Sequence, residues 1–202
     1  MATINFIGTG GILEGNLGSH TAEIELDPAL KFDGTNDWIN CGTDSDYDIT
    51  ADLVVACWAK NDNSTTTGGS SEMLVTKYAG TNGQRCYRTY VQGTTLKFSC
   101  SGTGGTSADT YTLQYSVANI LDKWNHYAGV WDSGHMYLYV NGKQVAYHDF
   151  RGTETALNVQ NSRAVEIGSY EGGSNTWEGQ IADVRIYNDN LITGGAGTAT
   201  TT

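Results

Sequence analysis

Apolar residues in this chain fall in short runs separated by Gly, Asn, Ser and Asp, and the clearest such pattern covers residues 121–149. Residues 125–131 (NHYAGVW) suit a strand, Asp132-Ser133-Gly134-His135 supplies turn chemistry, and Tyr137, Leu138, Tyr139 and Val140 form a second β-favouring run. Asn141-Gly142 then leads into a returning run over 143–148. Asn-Gly between two strand-like runs is the strongest short-range hairpin signal, because a type I′ turn needs positive φ at both central residues. Two tight turns in one stretch predict a three-stranded antiparallel meander, the spine of the fold.

The same reading extends in both directions. Residues 52–59 (DLVVACWA) are almost entirely apolar, which marks a central strand covered on both faces. Further strands are expected over 21–26, 30–34, 37–41, 72–77, 85–91, 96–100, 110–117, 164–168 and 178–187, with Gly34-Thr35-Asn36 as the tight turn of a hairpin. Residues 61–71 and 152–162 read as loops, and 171–175 as a glycine-rich loop. Apolar stretches with the helical period do not extend beyond about two turns. Roughly a dozen short strands predict an all-β, two-sheet antiparallel sandwich. It occupies residues 30–191. Residues 1–29, with apolar clusters at Ile4, Phe6, Ile7 and at Ile12, Leu13, form an edge strand or an arm onto a neighbour. Residues 192–202 are a low-complexity tail that has no means of packing.

Composition supports this and narrows the function. The 202 residues include 26 Gly and 1 Pro, which suits strands joined by glycine turns, and their length suits one domain with a sizeable core. The formal net charge is −11, with 11 basic residues scattered singly. Nucleic acid binding needs clustered Lys and Arg, so no nucleic acid partner is expected. No apolar run approaches a membrane span, and the N-terminus carries no basic and apolar export signal, so neither membrane insertion nor secretion is expected. Cys41, Cys57, Cys86 and Cys100 lack CxxC spacing, which argues against zinc; their even count permits two disulfides in three connectivities, but without an export signal buried free thiols are expected. Asn63-Ser64-Thr65 is a glycosylation sequon only in a secreted eukaryotic setting.

Six segments taken in order carry a resemblance. They are 30–39 (LKFDGTNDWI), 55–60 (VACWAK), 123–131 (KWNHYAGVW), 138–142 (LYVNG), 166–168 (EIG) and 177–187 (WEGQIADVRIY). Together they resemble the opening, the tryptophan strand, the central hairpin and the "VRIY" ending of laminin-G-like, concanavalin-A-like jelly-roll domains. The resemblance covers residues 30–191 and implies two antiparallel sheets, one concave. It places Trp58, Trp124, Trp131 and Trp177 in the core. It also implies a structural calcium ion held by Asp183 on the last strand and by Gly34 or Asp33 on the early one, since hard oxygen ligands suit Ca²⁺. The competing reading of Asp183 is an ion pair with Arg185. The fold hosts lectins, adhesion modules, virion proteins and glucanases alike, so function rests on the site.

An enzyme is not expected. Glu23, Glu25 and Asp27 resemble the alternating carboxylates of laminarinase-type glucanases and share one strand face. Residues two apart on a strand stand roughly 6.5–7 Å apart, wider than the about 5–5.5 Å of a retaining pair. The motif also precedes the "FDG" segment, whereas in the glucanases it falls mid-chain. Gly8-Thr9-Gly10-Gly11 lacks the strand–loop–helix context of a nucleotide site. His126 reads as a core or half-buried histidine. For sugar binding, the candidates are Tyr78, Tyr87, Tyr90, Tyr111 and Tyr115 with Arg88, on strands or rims of a concave sheet; Tyr78, Arg88, Tyr90 and Tyr111 lead this set.

The expectation is a non-catalytic module that binds or assembles. Its setting is a bacteriophage virion surface, as a capsid decoration or fibre component that contacts other virion proteins, its own copies in a homo-oligomer, or glycans. A domain that starts at Met1 without an export signal, the Gly/Thr/Asn-rich composition and the sticky ends motivate this. The alternative is a secreted or cell-surface carbohydrate-binding module.

Overall fold

Both turns of the central meander form with left-handed backbone. Asn141 and Gly142 have φ of +52° and +76°, and Ser133 and Gly134 have +47° and +95°. Both central residues are positive in each case, the condition of a type I′ turn, whose twist matches that of the flanking strands. Asn141 adds a tie of its own, because its Oδ1 accepts the His126 N–H at 2.8 Å. The structure is a computed structural model that describes residues 29–62, 70–80, 83–105, 110–117, 120–150, 156–159 and 162–189.

The described strands are β1 (Leu30–Asp33), β2 (Ile39–Asn40), β3 (Leu53–Asn61), β4 (Ser71–Tyr78), β5 (Arg85–Gln92), β6 (Thr95–Ser101), β7 (Thr110–Ser116), β8 (Trp124–Asp132), β9 (His135–Val140), β10 (Lys143–Asp149), β11 (Glu166–Ile167) and β12 (Glu178–Tyr187). A 3-10 turn at Ser45–Tyr47 is capped by Asp44, whose side chain accepts the Asp46 N–H. Two six-stranded antiparallel sheets result, in the orders β1-β12-β3-β8-β9-β10 and β2-β11-β4-β5-β6-β7. The expected all-β sandwich is therefore the observed architecture.

Alternation of side chains assigns each strand a core face and an outer face. On the core face of the first sheet stand Leu53, Val55 and Cys57 of β3, Tyr127 and Trp131 of β8, and Leu138 of β9, all buried. Opposite them lie Tyr87 and Val91 of β5, Leu96 and Phe98 of β6, and Leu113 of β7. At the centre the Phe98 ring rests on bare backbone. A Cβ built on Gly129 would stand 2.3 Å from the ring. One buried ion pair crosses the interior: Lys77 Nζ lies 2.9 Å from Asp48 Oδ1 and donates to the Arg163 carbonyl at 2.9 Å.

Three sequence expectations need correction or sharpening. Gly34-Thr35-Asn36 does not close a hairpin. β1 pairs with β12 in the first sheet, and β2 pairs with β11 in the second, so the turn carries the chain between sheets. Asp33 organises it by accepting the Thr35 and Asn36 N–H groups at 2.8 and 3.2 Å. Trp131 and Trp177 are core, but Trp58 and Trp124 are half-buried on the outer face of the first sheet. Trp58 follows inward-facing Cys57, and Trp124 pairs with outward Lys60, so strand parity turns both rings out. Within the apolar run 52–59, residues 53–57 are buried on both faces as expected, with Val54 and Ala56 shielded on the outer one.

The four cysteines stand as free thiols. Burial pushes Cys57 up to about 12 and raises Cys100 well above the ordinary thiol range. A thiol that cannot ionise is a poor nucleophile, so these act as small core residues. The 21–26 strand, the Glu23/Glu25/Asp27 motif, the sequon at Asn63 and the tail all lie outside the described residues.

Candidate functional site

The outer face of the second sheet gathers most of the residues selected for sugar contact. Cross-strand register places Glu166 of β11, Thr76 of β4, Arg88 of β5, Ser99 of β6 and Thr112 of β7 in one row. A neighbouring row holds Tyr90, Lys97 and Gln114, and the next holds Gln92, Thr95 and Ser116. All point away from Tyr87, Phe98 and Leu113, which fill the core side.

Part of this face is roofed by the loop after β11. Thr76 donates its hydroxyl to the Ser169 carbonyl at 2.8 Å, and the Met73 N–H reaches the Asn175 carbonyl at 3.0 Å. Glu166 pins the loop from below, accepting the Ser169 hydroxyl at 2.8 Å and the Gly172 N–H at 3.0 Å. Both carboxylate oxygens are thereby used, which leaves Glu166 a structural acceptor rather than an acid or base.

Beside the roof lies a cation clamped by two rings. The Arg88 guanidinium carbon stands 4.1 Å from the Tyr78 ring centroid and 4.4 Å from that of Tyr90. Cation–π contacts of this kind hold a guanidinium flat and pre-ordered. Tyr78 and Tyr90 are each only 6% exposed, so their faces are spent on Arg88 and they position it. The Arg88 Nε is buried and finds no hydrogen-bond partner among the described residues. The Arg88 Nη2 lies 3.5 Å from the Tyr90 hydroxyl.

The open end of the face continues from the clamp. Lys97 Nζ lies 5.9 Å from the Tyr90 ring and donates to Gln92 Oε1 at 2.6 Å. Ser99 and Thr112 share a hydroxyl hydrogen bond of 2.8 Å. A cavity of about 500 Å³ opens here, lined by Gln92, Thr95, Lys97, Gln114, Tyr115 and Ser116. Amides, hydroxyls, one exposed ring and two cations are groups that can read a hydroxylated, negatively charged ligand.

The structure thus unites Tyr78, Arg88 and Tyr90 but sends Tyr111 elsewhere. Tyr111 pairs with inward-facing Cys100, and its ring packs against Phe150 at 4.3 Å and Trp131 at 6.4 Å. It closes the seam between β7 and the meander. Tyr87 is likewise a core residue. Lys97, Gln92 and Gln114 escaped the sequence reading because polar residues at alternate strand positions look like any solvated face. Only their register against Arg88 and Tyr90 distinguishes them.

The residues expected to share calcium do not meet. Asp33 pairs with Glu178, so Asp183 lies five positions farther along β12, roughly 16 Å away at the strand rise. The Gly34 carbonyl accepts the Thr176 hydroxyl. Asp183 Oδ1 accepts the Arg185 Nε–H at 2.7 Å, the competing ion-pair reading. These three residues do not fit one common calcium site.

Asp183 and Arg185 also border His126, which packs edge-on against Trp58 at 5.3 Å. Burial lowers the His126 pKa below its ordinary value, more than the nearby Asp183 carboxylate raises it. A histidine whose folded pKa is depressed stabilises the fold while neutral. That contribution is complete above the unfolded value near 6.5 and is lost as pH falls from there through the folded value. Melting temperatures measured from pH 7.5 to 5 should therefore fall more steeply for the native protein than for His126→Gln. Parallel curves would show that His126 carries no such linkage.

Comparison with curated proteins returns no match to the sequence. Solved structures share the fold at low identity. The ligand-binding domain of botulinum neurotoxin serotype D, solved with N-acetylneuraminic acid, is 12% identical with a TM-score of 0.63, over 82% of this chain and 42% of that one. The CBM40 module of a Ruminococcus gnavus sialidase, bound to α2,3-sialyllactose, is 17% identical with a TM-score of 0.59, over 81% of this chain and 90% of that one. The binding domain of botulinum neurotoxin serotype G gives 12% and 0.56, over 82% and 44%. The chain spans less than half the length of these neurotoxin domains. A family model matches residues 33–193, in agreement with the sheet order and motif placement, and the chain belongs to the concanavalin A-like lectin/glucanases superfamily.

Proposed function

We propose that this chain is a non-catalytic glycan-binding module that takes an acidic sugar on the outer face of its second sheet. The observation that carries this reading is Arg88, clamped between Tyr78 and Tyr90 on the outer face of the second sheet. The chain carries a net charge of −11, yet Arg88 and Lys97 beside the cavity are both cations, and the Glu166 carboxylate of the same face is held under the loop by Ser169 and Gly172. A carboxylate suits a pre-ordered guanidinium with an ammonium beside it, and the amides and hydroxyls around the cavity suit the ring hydroxyls. Two fold relatives, solved with N-acetylneuraminic acid and with sialyllactose, support the ligand class by analogy alone. Glu166, the carboxylate on the central row, is held by Ser169 and Gly172, which supports binding over hydrolysis.

Titration calorimetry with 3′-sialyllactose, after a glycan array, tests the reading. A hydrogen bond to a charged partner contributes about 1.5–3 kcal/mol, so Arg88→Ala should weaken binding by about tenfold or more at an unchanged fold. Lys97→Ala should weaken it less. An array on which no carboxylated glycan binds would overturn the proposal, as would an Arg88→Ala variant with native affinity.

The setting we propose is the surface of a bacteriophage particle, as a homo-oligomer, with a secreted or cell-surface module as the alternative. Its support is the Gly/Thr/Asn-rich composition. Peptide mapping of purified particles that failed to find the chain would reject that setting and leave the sugar site standing.

A further inference from the structure

One sheet edge differs from the other three. The first sheet ends at β1, which has four residues and carries Lys31 and Asp33, and at β10. β10 carries Lys143 and Asp149 and breaks register between Gln144 and Ala146. The second sheet ends at β2, only two residues long, and at β7. Charge, shortness and register breaks are devices that keep edge strands from pairing with other chains. β7 has none of them. Its seven residues, TYTLQYS, include no charge and no proline, and they pair with β6 in unbroken register.

The free side of β7 offers backbone groups. Just past the strand, the Val117 N–H donates to the Thr94 carbonyl at 2.9 Å. Counting back in twos, Tyr115, Leu113 and Tyr111 likewise aim their N–H and C=O at β6, and the residues between them point the other way. Thr112, Gln114 and Ser116 thus direct their backbone groups off the sheet, where they meet no backbone partner among the described residues. All three are exposed, and Tyr115 is 41% exposed. The strand is also close to a palindrome. About Leu113, Thr110 matches Ser116, Tyr111 matches Tyr115, and Thr112 matches Gln114.

We infer that β7 is a homodimer interface, in which two copies of the chain pair antiparallel about a twofold axis at Leu113. This register overlaps both strands over their full length and sets outward backbone against outward backbone. Thr112 exchanges both hydrogen bonds with Gln114 of the second copy, and Thr110 does the same with Ser116. Tyr115 gains the second copy's Tyr111 as its cross-strand neighbour. A slip by one residue sets these outward groups against groups already spent on β6, and turns the side chains to opposite faces. The contact is isologous and consumes the edge, so it closes at two copies. The joined sheet has twelve strands, six from each copy. Gln114 and Ser116 line the cavity beside Lys97, so Thr112 and Thr110 of the second copy come to stand at its border. The interface gives the homo-oligomer proposed above a surface, but it rests on the strand and needs neither the sugar nor the particle.

Sedimentation equilibrium of the full chain, from micromolar to submillimolar concentration, tests it. The native protein should sediment at twice the mass of the chain. Gln114→Pro removes an outward N–H and leaves the β6 ladder complete, a placement that sheet edges tolerate. It should sediment as a monomer with an unchanged circular dichroism spectrum. A pair of double variants reads the register without proline. Thr112→Lys with Gln114→Lys opposes like charges across the axis and should give a monomer. Thr112→Lys with Gln114→Glu opposes unlike charges and should restore the dimer. A native chain that stays monomeric at the highest concentration would overturn the inference. So would a dimer that persists in the double-lysine variant, or one that lysine with glutamate fails to restore. The sialyllactose titration of Arg88→Ala reads the sugar site separately, so either result can fail while the other stands.

Discussion

Replacing Phe98 with alanine is expected to lower the free energy of unfolding by about 3–5 kcal/mol, the range for deleting a buried aromatic ring. Phe98 is fully buried at the centre of the sandwich, between Thr89 and Leu113 on its own sheet and Gly129 across the core. The two sheets approach closely there because Gly129 has no side chain. Gly129→Ala should therefore be costly as well, by about 1–3 kcal/mol, since the added carbon meets the ring and either the ring or the sheet must shift. The test of this packing is the double-mutant cycle. In the Phe98→Ala background the Gly129→Ala methyl enters the space the ring has left, and its cost should vanish. Urea unfolding of all four proteins measures the coupling. Additive losses would mean that the contact between Phe98 and Gly129 does not set the sheet spacing.

The second large effect concerns the buried pair of Lys77 and Asp48. Lys77 is 0% exposed and its ammonium meets only the Asp48 carboxylate and the Arg163 carbonyl among its described partners. Asp48→Ala strands a desolvated cation, which costs about 3–5 kcal/mol in the general case. The remaining carbonyl places the expected loss near the lower end. A Lys77→Met, Asp48→Ala double variant removes both charges and keeps the apolar stem volume. It should regain most of the loss, because desolvating two ions nearly cancels their attraction in such pairs. Chemical denaturation at neutral pH separates the outcomes. An Asp48→Ala loss below about 1 kcal/mol would show that water or a rearranged main chain solvates Lys77, as a surface pair would allow.

Much of the fold was legible because its signals are local. Asn141-Gly142 and Ser133-Gly134 demand left-handed backbone wherever they occur, so the meander could be drawn from the residues alone. The strand runs at 85–91, 96–100 and 178–187 were recovered to within a residue or so, because alternation and flanking glycines bound them. Gly34-Thr35-Asn36 deceived for the opposite reason. A turn between two strand-like runs looks the same whether the runs pair with each other or with distant strands, and here β12 and β11 take them.

The candidate sites divide along the same line. That Arg88 and Tyr90 share a face follows from their spacing of two, a property of the chain itself. That Tyr78 joins them, that Lys97 lies beside them, and that Tyr111 turns inward onto Phe150 depend on the pairing of β4, β5, β6 and β7. Asp183 and Asp33 appeared to be partners by family position, and the β1–β12 register sets them five residues apart. Sequence alone determined the class of fold, the turns and the parity of each strand, because these arise from backbone sterics and side chains a few residues apart. Only the tertiary structure decided which faces meet and which cation stands between which rings. Those are contacts between residues far apart in the chain, and their geometry exists only once strand register is set.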